Sequence, residues 1–204
     1  MLHFETVSPT ALELLTSLQQ IAIFKDLRLV GDTSLALQYG HRKSIVIVLF
    51  GFFEVDELEI TEELSRLGQI HQLQKSKNIF VYLINGIKTD IVRYKYPWLD
   101  EVQIIDGIRF AGRKDIAAMK LAAITGRGTK KDFIDIWFLL KEFSLKQMME
   151  FYLTKYTDGT EFLVLKSLGY FADADNDPMP VMLSNTDWIS IKDGIRASLS
   201  NYLR

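Results

Sequence analysis

The chain of 204 residues lacks cysteine entirely and contains only three histidines and four prolines. Without cysteine it forms no disulfide, no thiolate metal site and no cysteine nucleophile. Because so few histidines accompany that absence, we do not expect a zinc enzyme. No internal repeat or low-complexity segment stands out, so repeat architectures are excluded as well.

The chain also lacks a strong charge of either sign and a long apolar run. Its 24 Lys and Arg against 26 Asp and Glu leave a net charge of −2, which argues against a nonspecific nucleic-acid coat protein but leaves a local basic cleft open. The longest apolar run, residues 45–53, is far below the roughly 20 residues that span a bilayer. No charged-then-apolar leader opens the sequence, so we expect a soluble, cytoplasmic protein without a membrane partner.

What is present is an ordinary globular composition, with 48% apolar and 25% charged residues. The length predicts one domain, or one domain with an appendage. Folding should bury roughly 70% of the surface of the extended chain, enough for a sizeable core.

The first half alternates helix and strand signals. Helical spacing predicts a helix over 10–24, and a short helix should end at Gly40 after a possible N-cap among Asp32, Thr33 and Ser34. The unbroken apolar run at 44–50 is typical of a fully buried strand. A polar helix near 56–67 follows, and then further strands with an Asn-Gly hairpin turn at 85–86. The strands are predicted at 70–74, 79–84, 87–94 and within 101–110.

The second half is helical in pattern. Helices are predicted at 113–125, 130–142, 145–156, 160–171 and 187–203. The sequence therefore predicts an α+β fold with a mixed sheet lobe over residues 1–112 and a helical lobe over 113–204, or one compact unit made of both.

The first candidate site is a Gly-Asp-Thr-Ser turn before a short helix. Backbone N–H groups at a helix start favour phosphate, and Gly31 allows its close approach beside Thr33 and Ser34. Arg42 and Lys43 would add positive charge nearby. The alternative is an ordinary capped helix and an exposed basic turn, and taken alone the pattern favours that alternative.

The second candidate is Lys120, which falls between Ile116 and Ile124 on an apolar helix face. Arg113, Lys120 and Arg127 are seven residues apart and form a basic stripe beside that face. A lysine there either extends to water along the apolar surface or meets an anion, and the pattern alone favours extension to water.

The third candidate is the pair Asp132 and Asp135, which share one edge of the next helix. Two carboxylates at this spacing orient Arg and Lys groups or bind a cation. They could equally be solvated charges in a first helical turn, where the helix dipole favours them.

Taken together and in order, these features resemble the AbiEii/AbiGii toxin family. The resemblance covers nearly the whole chain, and the Asp-Ile-Ala-Ala-Met-Lys-Leu block with its downstream Arg-Gly and Lys-Asp-Phe-Ile-Asp carries most of its specificity. It implies a nucleotidyltransferase fold and, for many members, a bacterial toxin of a toxin–antitoxin or phage-abortive system. The matching stretches are residues 31–50, 87–99, 115–140 and 170–183.

The resemblance also implies a metal site that this sequence lacks. Such enzymes carry Asp-x-Asp on a strand, where residues i and i+2 face the same way about 6.6 Å apart and hold Mg²⁺ for an NTP substrate. Val46 and Val48 stand at those two positions, and valine offers no oxygen ligand to Mg²⁺. Only Asp90 matches the third carboxylate. Glu54 and Asp56 lie too far along the chain to replace the lost pair.

Other positions match the family's nucleotide-binding and catalytic motifs. Asp32 is a second departure, because it puts a negative charge where the phosphate-binding turn has glycine. The resemblance implies nucleotide or phosphate contacts at Gly31, Thr33, Ser34, Arg42, Lys88 and Arg127. It implies catalytic roles at Asp90, Lys120, Asp132 and Asp135, with His41 and Ser44 bordering the metal strand.

Three functional hypotheses follow from this reading. The first is an impaired or inactive member that still binds a nucleotide, RNA or a partner. The second is an active metal-dependent transferase that moves NMP from an NTP to an RNA or protein acceptor. The third is an interaction module that regulates an antitoxin or an active homologue, with the antitoxin encoded alongside.

An acidic loop near the end of the chain suggests calcium, because Asp173, Asp175 and Asp177 alternate as in an EF-hand. Pro178 stands where that motif needs glycine, and Ser184 stands where it needs glutamate. We therefore reject the EF-hand and expect local turn hydrogen bonds from these side chains.

Overall fold

The computed structural model describes residues 1–54 and 56–204. It shows an α+β protein with a mixed seven-stranded sheet and a mostly helical C-terminal part, which confirms the predicted fold class. The described chain divides into two compact units. Unit 1 comprises Met1–Lys95 and Val102–Ala111, and unit 2 comprises Tyr96–Glu101 and Gly112–Arg204. The domain division at residue 112 stays a prediction.

Unit 1 holds the whole sheet and three of the helices. The strand order is β3-β4-β5-β2-β1-β7-β6, with β2 parallel to β5, β1 parallel to β7 and the other pairs antiparallel. The elements are α1 (Pro9–Gln20), β1 (Arg28–Leu29), α2 (Gly31–Tyr39), β2 (Ile47–Gly51), α3 (Glu57–Ser65), β3 (Ile70–Lys75), β4 (Ile79–Ile84), β5 (Ile87–Arg93), β6 (Gln103–Ile105) and β7 (Ile108–Phe110), with 3-10 helices at Phe4–Thr6 and Ala22–Phe24.

Local chemistry explains most of these boundaries. Ser8 caps α1 by accepting a hydrogen bond from the Ala11 amide at 3.2 Å, with proline next in the chain. The predicted hairpin turn is confirmed between β4 and β5, where Asn85 and Gly86 both have positive φ, at 49° and 79°. Gly40 ends α2 in the left-handed conformation, which glycine adopts without a Cβ penalty.

The start of α2 differs from the prediction. The helix begins at Gly31 with Val30 as its N-cap, and no side chain caps it. Asp32, Thr33 and Ser34 are therefore inside the first turn, and the expectation that one of them is the N-cap is wrong. The reason is tertiary: the two hydroxyls are buried and hydrogen-bonded to neighbouring groups of unit 1.

The strand β2 is also less buried than its sequence suggests. Ile47 and Leu49 point into the core, whereas Val46, Val48 and Phe50 are only half-buried on the opposite face. The expectation of a fully buried strand is therefore wrong. An unbroken apolar run does not distinguish a strand with two buried faces from one whose second, half-buried face carries valine and phenylalanine.

The core of unit 1 lies on the face of the sheet to which Ile47 and Leu49 of β2 point. Leu14, Leu15 and Leu18 of α1 pack in one cluster with Phe24 and Phe110. The helical spacing that predicted α1 is thus the spacing of its contacts with the core.

Unit 2 is built from six helices within the described residues. The five predicted helices are confirmed with small shifts of their ends, and a short additional helix lies in the loop before the last one. The helices are α4 (Arg113–Gly126), α5 (Lys130–Leu139), α6 (Leu145–Lys155), α7 (Glu161–Leu168), α8 (Ala172–Asp175) and α9 (Trp188–Tyr202).

None of the helices within residues 1–54 and 56–204 has the length and apolarity needed to cross a bilayer.

Candidate nucleotide site

The positions expected to hold the metal lie on the half-buried face of β2 and β5. Val48 pairs directly with Asp90 in the parallel register, and paired residues of neighbouring strands point to the same face. Val46 lies two residues before Val48 and shares that face. We call these three residues the β2–β5 face.

Asp90 has an apolar neighbour on each flanking strand. Val48 lies opposite it on β2, and Val81 lies opposite it on β4. Lys88 Nζ is 3.3 Å from both carboxylate oxygens of Asp90. Asp90 Oδ1 is buried and accepts no hydrogen bond from the part of the chain that the structure describes. The cation that pairs with this carboxylate is thus Lys88, whose side chain is about half exposed.

Gly31 approaches the same face from the start of α2. Its φ is +68°, a left-handed conformation that L side chains rarely adopt. A Cβ at this position would lie 3.8 Å from the Cβ and Cγ2 atoms of Val48. The structure therefore brings Gly31, Val48 and Asp90 together within unit 1.

The two hydroxyls of the turn point inward. Thr33 Oγ1 donates to the Val46 carbonyl, and it accepts from Ser44 Oγ at 2.8 Å, since its one proton is already used. Ser34 Oγ accepts from Gln38 Nε2 at 3.0 Å and is fully buried. Both hydroxyls thus have partners inside unit 1, and Thr33 connects α2 to the chain entering β2. Their predicted phosphate contacts stay predictions.

The charge of Asp32 is compensated within unit 1. Arg42 Nη2 lies 3.2 Å from Asp32 Oδ2, and only 1% of the Arg42 side chain is exposed. The arginine also donates to the Lys43 carbonyl at 3.2 Å. A buried arginine of this kind holds the turn together, because losing either charge would leave the other uncompensated.

The ligands present do not fit the two-metal site of the family. Magnesium requires oxygen ligands, and Val46 and Val48 present only carbon beside Asp90. Among residues 1–54 and 56–204, no group of three or more His, Cys, Asp or Glu side chains is arranged to hold a metal ion. A single carboxylate therefore remains of the three that the family motif requires.

Unit 2 contains the second group of expected site residues, which we call the acid–lysine cluster: Lys120, Arg127, Asp132 and Asp135. Lys120 Nζ lies 3.1 Å from Asp132 Oδ1 and 2.6 Å from Asp135 Oδ2. Only 3% of the lysine side chain is exposed, and both aspartates are fully buried. The expectation that Lys120 extends to water is wrong, because two carboxylates from α5 meet it inside the unit.

Asp132 is the most heavily engaged member of the acid–lysine cluster. Arg127 binds it in a bidentate pair, with Nε and Nη2 each 2.9 Å from a carboxylate oxygen, and Thr129 Oγ1 donates at 2.7 Å. Burial would raise the pKa of Asp132, but the charge of Lys120 and the Arg127 and Thr129 hydrogen bonds outweigh it. They hold this pKa well below its ordinary value. Asp132 is therefore ionised at neutral pH.

Unit 2 also contains a second buried ion pair, which the sequence patterns did not predict. Lys155 Nζ lies 2.6 Å from Asp115 Oδ1 and donates to the Pro97 carbonyl at 2.6 Å. Asp115 also accepts from the Leu99 and Asp100 amides at 2.9 and 3.0 Å. This group anchors residues 96–101 to α4 and α6. The spacing of Met148, Tyr152 and Lys155 on one face of α6 was a usable signal.

The acidic loop makes tertiary contacts in unit 2. Asp177 Oδ2 accepts from the Lys130 amide at 2.9 Å and so binds the start of α5. Asp175 Oδ1 accepts from Trp188 Nε1 at 2.6 Å and from Lys192 Nζ at 2.7 Å. The expected local turn bonds are thus replaced, for these two aspartates, by bonds to distant residues.

Comparisons with known proteins identify the family of the chain. A family model described as "Nucleotidyl transferase AbiEii toxin, Type IV TA system" matches residues 100–201. The protein aq_aa25 of Aquifex aeolicus (strain VF5), described as uncharacterized, is 38% identical over 168 residues, covering 79% of this chain and 82% of that protein.

Solved structures share the fold at low identity. JHP933 from Helicobacter pylori aligns with a TM-score of 0.56 at 18% identity, over 96% of this chain and 94% of that one. MenT4, a nucleotidyltransferase toxin from Mycobacterium tuberculosis H37Rv, aligns with a TM-score of 0.55 at 11% identity, over 94% and 82%. At these identities the likeness establishes the fold alone.

Proposed function

The chain belongs to the AbiEii nucleotidyltransferase toxin family of type IV toxin–antitoxin systems, and from this premise we propose that it is a member impaired in metal-dependent transfer that still binds nucleotides. Enzymes of this family in general use an NTP and a divalent metal. In this chain the cage that would hold the metal is reduced to one carboxylate.

One observation carries this proposal: the carboxylate of Asp90 lies between Val48 and Val81 on the flanking strands. Two metal ions at such a face would meet the carbon atoms of valine side chains where they require oxygen ligands. Without them, the charge on a triphosphate and the alignment of the attacking hydroxyl lose their main support.

Nucleotide binding is assigned to the groups that remain accessible. Within unit 1, Lys88 is about half exposed beside Asp90 and is suited to contact phosphate. Within unit 2, considered by itself, Arg127 is 63% exposed beside Asp132 and is suited to the same kind of contact. Gly31 offers a backbone amide at the start of a helix. Lys120, Asp132 and Asp135 are buried, and we assign them to holding Arg127 in position rather than to the reacting atoms.

Transfer of labelled NTPs tests the proposal directly. All four labelled NTPs are incubated with Mg²⁺ or Mn²⁺ and with total RNA or the protein alone, and the native chain should transfer no label. The variant Val46→Asp/Val48→Asp restores two carboxylates beside Asp90 and should transfer label. Val46→Asn/Val48→Asn is the matched control, because it has the same shape without the charge.

Two outcomes contradict the proposal. Label transfer by the native chain that is lost in Asp90→Ala would show an active transferase with other metal ligands. Absence of NTP binding by the native chain in isothermal titration would remove the nucleotide-binding part.

The family also implies a cognate antitoxin, and we propose that one is encoded alongside this chain. Expression of the native chain should leave bacterial growth unchanged, whereas the restored variant should arrest it. Co-expression of the neighbouring gene should relieve the arrest. Arrest by the native chain would contradict the loss of transfer.

A further inference from the structure

Within unit 2, considered by itself, the last helix α9 buries one side and exposes the other. The inner side carries Ile191 and Ile195, which are buried, and Gly194, where a Cβ would collide with the Trp137 ring. With about 100° between successive helical residues, five of the exposed residues form a stripe about 80° wide on the opposite side. We call this stripe the α9 outer face, and it consists of Ile189, Asp193, Arg196, Ser200 and, directly after the helix, Leu203.

The α9 outer face has nearly the same order of chemistries in both directions. Its two ends are apolar: Ile189 is 68% exposed, Leu203 is 66% exposed, and each stands seven residues from Arg196. The middle holds one acid and one base, since Asp193 Oδ1 lies 3.0 Å from Arg196 Nη1 and both side chains are exposed. A surface with this symmetry can pair with an antiparallel copy of itself, as a two-fold interface requires.

A hollow lies at the C-terminal end of this face. Its volume is ≈ 420 Å³, and it is lined by Arg196, Leu199, Ser200, Leu203 and Arg204. Leu199 also meets the end of α7, since a Cβ at Gly169 would lie 3.6 Å from the Leu199 Cδ2 atom. The two leucines make the hollow apolar, and it is large enough to receive an aliphatic side chain.

From these observations we propose that the α9 outer face binds the same face of a second copy of this chain, antiparallel about a two-fold axis near Arg196. Ile189 of each copy then lies opposite Leu203 of the other and enters the hollow beside it. Asp193 of each copy lies within one helical turn of Arg196 of the other, so two acids and two arginines form a neutral network. This inference goes beyond the proposed function and does not rest on it.

Charge selects a second copy over a strongly charged partner. The α9 outer face carries one acid and one base, so its formal charge is zero, and a partner of one sign would meet a like charge somewhere along it. A second copy places each charge near its opposite at both ends of the network. The exposed apolar residues at the ends of the face are covered at the same time.

The size of the face sets the expected strength of the dimer. α9 has 15 residues and is about 22 Å long, so two such faces bury an area at the low end of specific interfaces. We therefore expect a reversible dimer with a dissociation constant in the micromolar range. At lower concentrations the chain is monomeric, so the stability of its fold does not depend on the dimer.

Sedimentation velocity of the full chain, from roughly 1 to 200 µM, tests the proposal, and the native chain should change from monomer to dimer over this range. Asp193→Lys and Arg196→Glu each bring like charges together across the two-fold axis and should weaken the dimer at least about tenfold. An equimolar mixture of these two variants should restore the dimer, because each copy then meets opposite charges on the other. Loss of the ion pair within α9 is not repaired by mixing, so recovery reports contact between copies.

The apolar ends and the controls complete the experiment. Ile189→Lys should weaken the dimer without altering the charge network. Asp158→Lys and Lys146→Glu make the same changes of charge at exposed residues outside α9, and both should dimerise like the native chain. Circular dichroism verifies that each variant is folded.

The proposal is overturned if the native chain stays monomeric at the highest concentration or forms assemblies larger than a dimer. It is overturned equally if the equimolar mixture stays monomeric, or if Ile189→Lys dimerises like the native chain. Its failure is separate from that of the proposed function. Label transfer by the native chain, or the absence of NTP binding, would leave the sedimentation results unchanged.

Discussion

The β2–β5 face of unit 1 and the acid–lysine cluster of unit 2 differ in the source of their positive charge. In the cluster, Lys120 and Arg127 belong to the chain, so Asp132 and Asp135 can be buried and remain charged. On the face, three crowded acids would need a cation from solution, and without it they repel one another. Valine at two of these positions removes that repulsion, whereas a similar replacement in the cluster would leave a buried charge.

The largest expected effect breaks the internal compensation of the cluster. Lys120→Met keeps the shape of the side chain but leaves Asp132 and Asp135 without their shared cation. We expect a loss of about 3–5 kcal/mol in the free energy of unfolding, measured by urea denaturation. Lys146→Met, on the exposed surface of α6, is the control and should stay within about 0.5 kcal/mol of the native chain.

A companion variant makes this comparison sharper. Lys120→Met/Asp135→Leu removes a charge of each sign and should recover much of the loss, because Arg127 still compensates Asp132. A double variant as unstable as Lys120→Met would mean that packing, rather than charge, is what the lysine contributes.

The next effect is the acid dependence that Asp132 confers. Its pKa is held below the ordinary value in the folded chain, so under acidic conditions the unfolded chain binds a proton that the folded chain does not. The stabilisation is complete above the unfolded pKa of about 3.9 and falls as the pH drops from there toward the folded pKa. In that window Asp132→Asn should reduce the slope of stability against pH by up to about 1.4 kcal/mol per pH unit.

This slope is read from denaturation midpoints at several acidic pH values. Asp193→Asn, which alters an exposed aspartate on α9, serves as the reference. Equal slopes in the two variants would contradict the assignment of a depressed pKa to Asp132.

A smaller effect is expected when a carboxylate returns to the face. Val48→Asp places a second negative charge opposite Asp90, which should lower the free energy of unfolding by roughly 1 kcal/mol without metal. Millimolar MgCl₂ should return part of that loss, seen as a rise in the melting temperature. Val48→Asn should lack the magnesium response, and a variant indifferent to magnesium would show that the face no longer accommodates a cation.

The smallest effect concerns the ion pair of the face itself. Lys88→Met removes the partner of Asp90, but this lysine is about half exposed, so stability should change by at most about 1 kcal/mol. The same Lys→Met change at positions 88 and 120 thus compares the two regions by one measurement. Equal losses would contradict the distinction between the face and the cluster.

Much of this architecture was readable in the sequence. The α+β order, the five main helices of unit 2 and the Asn85-Gly86 hairpin follow from apolar periodicity and turn chemistry, which are local properties. These features depend on neighbours along the chain, so the sequence alone suffices for them. The pairing of Val48 with Asp90 joins strands that are far apart in the chain, and only the family resemblance implied it.

Partners across the fold were not readable in the same way. The sequence favoured Lys120 reaching water and a side chain of the Asp32–Ser34 turn capping α2. The structure instead gives Lys120 two buried carboxylates and turns Thr33 toward Ser44. A polar side chain on an apolar face is ambiguous until its partner on another element is known, since burial is tolerated only where that partner compensates it.

By itself, then, the sequence determined which side-chain ligands the chain has and lacks: the side chains of Val46 and Val48 cannot bind a metal wherever the fold puts them. Only the tertiary structure decided which of the remaining charges are internal and which are accessible. Arg42 and Lys120 are buried in ion pairs with aspartates of their own units, whereas the side chains of Lys88 and Arg127 remain exposed. The reason is physical: side-chain chemistry is a property of each residue, but compensation of charge is a property of distances between residues far apart in the chain.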